Sequence, residues 1–391
     1  MINKKVAFVI FFVIFLLSGF ISYSIFAGKE TIGLLPKTKY KPPTANESAG
    51  KTSKNDMPDE SKTEECPLNG QLFGKSSKQK WEKRTPLGIM VENSTQARPQ
   101  SGLSSADVIY EAVAEGGITR FLAIFYCQDA SYVGPVRSAR IYFIKLLQEY
   151  GEYPLYAHVG GANTDGPADA LGEVEELGWG LYNDLNQFAV PFPYYWRDYE
   201  RLPNRITEHT VYTSTPKLWE FAKIKRNLTN EDKKGKSWSS KFEGWKFKED
   251  ANKAERGKIN KVSFAFWNLF ASEYSVDWIY DKITNSFKRS NGGVAHHDKN
   301  TDKQLEAKNI VIVFANESPA NDGYPGGHIL YKLTGSGDGI IFQDGNVIKM
   351  TWNKKTEESR MRFFDGTGKE IQFVRGQIWV EILPIGNKVT F

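Results

Sequence analysis

Val108-Ile109-Tyr110-Glu111-Ala112-Val113-Ala114 and Ile118-Thr119-Arg120-Phe121-Leu122-Ala123-Ile124-Phe125-Tyr126 stand on either side of Glu115-Gly116-Gly117. Two runs rich in β-branched and aromatic residues around a Gly-Gly turn predict a β-hairpin. Before it, Leu87-Gly88-Ile89-Met90-Val91 reads as a buried strand. After it, Gly134-Pro135 predicts the opening of a helix from Val136 to about Glu149, with proline in the first turn where its missing N–H costs nothing. Pro154 to Val159 reads as a further strand and Pro167 to Leu177 as a shorter helix. Strands alternating with helices predict a mixed α/β domain over 66–222.

From about Gly257 the pattern turns β-rich. Val262–Trp267, Ile310–Phe314, Gly339–Phe342, Val347–Trp352 and Ile378–Ile382 are strand-like, with Asp344-Gly345 and Asp365-Gly366 as turn signals. The expected class is α+β, with a mostly antiparallel second domain over 257–391. Between the two, Lys223 to Lys261 carries thirteen Lys/Arg against six Asp/Glu. Such a run reads as a solvated basic linker or insertion, 223–256.

At the other end, Lys4-Lys5 precede an uncharged apolar run from Val6 to Phe26. A helix that crosses the hydrocarbon needs about 20 such residues. The charges lie before it, so the tip and anchor (1–28) put the N-terminus in the cytoplasm and everything after Lys29 outside. Ile25-Phe26-Ala27 is a poor cleavage site for a signal peptide, which favours a retained anchor. Residues 29–65, rich in Lys, Thr, Ser, Pro and Glu, read as a flexible stalk. The cysteines are Cys66 and Cys127, so no cysteine directly follows the apolar run to carry a lipid. An exported location permits a disulfide between them.

A net charge of +5 says little about partners. No zinc-type cysteine pairs, phosphate-loop motif or aromatic-basic pattern is present, so neither a cofactor, a metal nor nucleic acid is expected. His296-His297-Asp298 resembles a metal cluster only superficially, because adjacent residues on an extended chain point opposite ways. Gly-x-Ser-x-Gly is absent.

The segment Gly134-Pro135-Val136-Arg137-Ser138-Ala139-Arg140 concentrates a helix start, a hydroxyl and two guanidinium groups, the ingredients of an anion site. On a helix, Arg140 shares a face with Val136, Phe143 and Leu147, where it needs a carboxylate partner; Glu111 or Glu115 is expected. Those two glutamates, an even number of residues apart, share a face on a regular strand and could divide acid and base roles. His158 stands at a strand end before Gly160-Gly161. Tyr195-Trp196-Arg197-Asp198 and Arg201 form a charged, aromatic loop. For the arginines and glutamates a structural ion pair is the plainer alternative, for His158 a satisfied structural histidine, and for the loop an ordered segment pinned by ion pairs.

The chain resembles the YerB-like lipoproteins of bacteria. The resemblance rests on Pro67–Gly70, Ala97–Leu103, Ala106–Phe121, Gly134–Arg140, Tyr195–Asp198, Gly345–Trp352 and Gly376–Trp379. It implies an exported, membrane-tethered protein of two domains and brings no settled activity. This chain departs from the lipoprotein pattern in lacking the lipid-bearing cysteine.

Two functional readings follow. One is an envelope binding or scaffold module for an anionic component or a protein partner, tethered to the cell membrane through residues 6–26, with Arg120, Arg137, Ser138, Arg140, Asp198 and Arg201 as ligand-binding residues. The other is a wall glycan or peptide hydrolase or transferase, with Glu111 or Glu115 as acid/base and His158 as a further catalytic candidate. The residues alone do not decide whether the protein is an enzyme.

Overall fold

The computed structural model describes residues 60–391. The expected anchor, and the stalk up to residue 59, lie outside the described residues. Among those described, no helix is long and apolar enough to cross a membrane. The fold is α+β, with a mixed sheet in the N-terminal part and antiparallel strands dominating the C-terminal part.

The expected hairpin forms between Val108–Glu115 and Ile118–Phe125. Gly116 (φ 56°) and Gly117 (φ 76°) both occupy the left-handed region that a tight hairpin turn requires. The hairpin is the middle of an eleven-stranded sheet. On one side follow Leu87–Glu92, Leu155–His158 and Asp184–Asn186; on the other follow Ile378–Pro384, Asn309–Pro319, Gly335–Gln343, Asn346–Lys354 and Arg362–Asp365, with Ile329–Lys332 pairing separately on Asn309–Pro319. Ile378–Pro384 runs parallel to both of its neighbours, pairing Glu381 with Glu111 on one edge and Val311 with Val380 on the other. The two parts of the chain therefore share one sheet.

Each face of this sheet has its own cover. Helix Ile141–Leu147 lies on the face that carries Leu122 and Gly88: a Cβ added to Gly88 would meet Leu147 and Leu122. The opposite face is covered by a six-stranded sheet that includes Lys261–Phe264, Val276–Asp281 and Ser286–Asn291. There the rings of Trp278 and Phe121 pack against Trp379 at 5.2 and 5.5 Å. Trp278, Trp379 and Phe121 are fully buried, and burial of side chains this size contributes about 1.5–3 kcal/mol each.

The basic stretch after residue 223 is built into the fold. Helix Thr215–Arg226 runs into it, Phe247–Lys248 pairs in parallel with Phe373–Val374, and Trp245 is buried against Phe363 and Phe373. The Cys66–Cys127 disulfide is formed and ties the start of the described chain to the end of the hairpin.

Two local expectations are corrected. The helix begins at Ile141, not Val136. Gly134 to Ala139 is an extended strap with bridges to Ser101, Val91 and Gly161, and Arg140 caps the helix with extended backbone (φ −137°, ψ 144°). Backbone partners on three sides override the preference of proline for a first helical turn, so Val136 to Ala139 offer no helix terminus. Second, the register shifts between Val113 and Glu115. One extra residue in a strand reverses the alternation beyond it. Glu111 accepts from Thr119, whereas Glu115 pairs with Arg120, the next residue on the partner strand. The two carboxylates thus leave opposite faces of the sheet.

Candidate functional site

On the helix-covered face, Glu115 receives two arginines. Arg120 Nη2 lies 2.6 Å from Oε1, and Arg140 Nη2 pairs with Oε2. Arg120 Nη1 also donates to the Ser138 carbonyl (3.2 Å) and Arg140 Nη1 to that of Ala139 (2.7 Å). Both guanidinium groups are buried. Burial raises the Glu115 pKa, but Arg120 and Arg140 outweigh it and hold the carboxyl at about 2. A carboxylate held this way is a poor proton donor at neutral pH. Arg137, next along the strap, is more open; it bridges Glu92 (3.4 Å) and Glu208 (3.1 Å), and Glu92 also contacts His209 Nδ1 at 2.8 Å.

The other expected site residues are engaged separately. His158 has both ring nitrogens occupied, by Asp184 Oδ1 (2.6 Å) and the Gly160 carbonyl (2.7 Å). Asp198 accepts from the Tyr132 hydroxyl and the Glu200 and Arg201 amides. Arg201 lies over the Tyr132 ring (4.1 Å) and donates to Ser101 Oγ and Asn300 Oδ1. The structure therefore joins Glu115, Arg120, Ser138 and Arg140, and gives His158, Asp198 and Arg201 partners of their own.

On the opposite face lies an arrangement that sequence reasoning missed. Glu111 is fully buried, with Oε1 accepting from Thr119 (2.7 Å) and Asn93 (3.2 Å) and Oε2 from Arg289 Nη2 (2.5 Å). Glu381, its neighbour across the sheet, accepts from Trp278 Nε1 (3.0 Å). Burial, then the proximity of Glu111, push the Glu381 carboxyl far above its usual range, so it holds a proton. Arg289 Nη1 donates to His296 Nδ1 (2.6 Å), leaving Nε2–H to donate to Gln100 Oε1 (2.6 Å). Burial and then Arg289 drive the His296 pKa well down, which keeps the ring neutral and fits this tautomer.

His296 leads outward to a cavity of 560 Å³, lined by Arg98, Asn291, His296, Thr95 and Glu273 among others. Arg98 donates to Asn93 Oδ1, the Asn93 carbonyl and the Glu273 carbonyl. It has carbonyl oxygens as partners and no carboxylate at ion-pair distance among the described residues. Burial, then repulsion from Arg289, push its pKa down to about 10, only partly offset by Tyr274, Glu111 and Glu273. Asn291 is 3% exposed, and its Oδ1 has no partner. Arg98 lies within the Ala97–Leu103 motif, which carried only the family resemblance and could have drawn attention to it; Arg289 and Asn291, in the strand Ser286–Asn291, carried no signal.

Cys66, Asp107 and Cys127 cluster at metal-site spacing. The disulfide consumes both thiolates, and Asp107 is taken by the Tyr126 and Cys127 amides.

Residues 72–229 match the family described as "Protein of unknown function (DUF3048) N-terminal domain", and residues 266–380 the corresponding C-terminal domain. The chain is 32% identical over 332 residues to a Bacillus subtilis (strain 168) protein named "Putative lipoprotein YerB", covering 85% of this chain and 89% of the relative. It also matches the crystal structure of YerB from Bacillus subtilis, with a TM-score of 0.66 at 30% identity, covering 84% of this chain and 100% of that one.

Proposed function

The chain belongs to the YerB-like DUF3048 family, and from that premise we propose that it is an extracytoplasmic binding module of the cell envelope, holding an anionic group on Arg98. The relative's description as a lipoprotein supports the envelope address. Here the apolar run 6–26 would replace the lipid as a single-pass anchor. One observation carries the choice of site: Arg98 lines a 560 Å³ cavity with no carboxylate at ion-pair distance among the described residues, Glu111 and Glu273 offsetting its charge only from further away. A cavity of this size suits a small ligand or the end of a polymer chain, and a guanidinium there favours carboxylate or phosphate.

Arg120 and Arg140, the first candidates for ligand contact, instead serve Glu115 and hold the strap that presents Arg137. The hydrolase alternative loses support for a physical reason. Glu111 and Glu115 cannot flank one bond from opposite faces of a sheet, and neither is a free acid facing solvent.

The test is calorimetric titration of the full-length chain in detergent with inorganic phosphate and with N-acetyl-dialanine. Arg98→Gln should weaken whichever probe binds by about tenfold or more, the worth of a charge-assisted hydrogen bond. Arg137→Gln should leave that affinity unchanged. Unaltered affinity in Arg98→Gln, or no binding of either probe, sinks the reading. Cleavage of purified wall glycan that stops in Glu111→Gln or Glu115→Gln would restore the hydrolase.

A further inference from the structure

A second cavity, of 380 Å³, lies where the 228–242 segment folds over the turn Gln148–Tyr150. Its lining combines aromatic rings with buried polar atoms that have no partner inside the protein. Thr85 and Gln148 both line it, at 2% and 5% exposure, and neither Thr85 Oγ1 nor Gln148 Oε1 has a hydrogen-bond partner. An orphaned buried polar group costs about 1–3 kcal/mol, so two in one cavity call for an explanation. Trp238, Phe242 and Tyr153 supply the rings. Trp238 is pinned by Tyr126 (ring centroids 4.9 Å) and Phe242 (5.1 Å), and its Nε1 donates to the Tyr126 hydroxyl.

The buried charge at this site is already paired. Glu149, 3% exposed, has Lys354 Nζ at 3.3 Å from Oε1 and Arg360 Nη1 at 3.2 Å from Oε2. At the rim, Lys236 pairs with Glu152 at 3.0 Å. Five acidic residues (Glu149, Glu152, Glu231, Asp232 and Glu358) line the cavity against Lys236 and Lys241, and the one cation without an ion pair among them, Lys241, is exposed, so an anionic ligand is disfavoured here. Rings for an apolar face, together with buried oxygens that ask for hydroxyl or amide donors, describe the recognition of a neutral saccharide.

We infer that the cavity between Gln148 and Trp238 binds a neutral sugar unit of an envelope polysaccharide, with Thr85 and Gln148 meeting its hydroxyl or amide groups and Trp238 packing on its ring. This site is independent of the one at Arg98. A module with both would grip a neutral glycan and an anionic group at separate places.

The experiment titrates the full-length chain, held in a polyoxyethylene detergent that carries no sugar, with N,N′-diacetylchitobiose. Saturable binding is expected, weakened about tenfold or more in Gln148→Leu and in Trp238→Ala and unchanged in Arg98→Gln. Should Trp238→Ala fail to fold, the near-isosteric Gln148→Leu decides the matter. No saturable binding overturns the inference, as does affinity unaffected by Gln148→Leu. So does tighter binding of glucose 6-phosphate than of the neutral disaccharide. Loss of sugar binding with intact phosphate binding separates this site's failure from that of Arg98.

Discussion

Glu111 and Glu115 leave one strand four residues apart and arrive in opposite electrostatic worlds. On the helix-covered face, one carboxylate serves two arginines, Arg120 and Arg140. On the sheet-covered face, one arginine, Arg289, serves two carboxyl groups, Glu111 and Glu381. The first face carries a surplus of positive charge and lies near the solvent, where Glu115 is 23% exposed. The second is sealed, and removes its surplus negative charge by keeping a proton on Glu381. Exposure thus decides how an unbalanced charge count is resolved: by solvent where water reaches, by protonation where it does not.

The sealed face should be the more fragile. Arg289→Met would leave Glu111 buried beside Glu381 with no cation in contact, and loss of one partner from a buried pair costs about 3–5 kcal/mol. Urea unfolding should show that loss in the midpoint; a change under 1 kcal/mol would mean that Arg289 is not the counter-ion for the pair. Glu115→Gln comes next, at about 1–3 kcal/mol. It strands two arginines, but both also donate to backbone carbonyls and water lies close by. If Glu115→Gln costs more than Arg289→Met, the contrast between the faces is reversed.

Much of this contrast was hidden in the sequence. The hairpin itself was legible, because its two runs and the Gly116-Gly117 turn agree at every level. The bulge was not: Ala112-Val113-Ala114 is uniformly small and apolar, and nothing in it marks the residue at which the alternation reverses. Gly134-Pro135 carries the signature of a helix start, yet Val91, Ser101 and Gly161 claim the backbone of the strap from elsewhere in the chain. Glu381 lay beyond reach for a similar reason. Its contact with Glu111 depends on a parallel pairing between distant strands, which no local pattern encodes. The expected carboxylate partner for Arg140 was correct in kind, since Glu115 was one of the two glutamates named.

The smallest effect discriminates most sharply. Glu381→Gln keeps an oxygen for Trp278 Nε1 and offers Glu111 an N–H in place of the acid's O–H, so at acidic pH it should change stability by less than about 1 kcal/mol. With rising pH the two proteins should diverge. An unfolded chain releases the Glu381 proton near 4.5, whereas the fold retains it to a much higher pH. The folded state then binds more protons, and the contribution of Glu381 to stability falls as pH climbs above 4.5. Glu115 behaves in the opposite sense: held at about 2 in the fold, it stabilises fully above 4.5 and loses that contribution as pH drops toward 2. Stability of Glu381→Gln relative to the parent should therefore increase steadily from pH 4.5 to 7, measured as the difference in urea midpoints. Parallel curves across that range would mean that Glu381 is ionised in the fold, and the sealed face would then have to neutralise its second carboxylate by some means other than a retained proton.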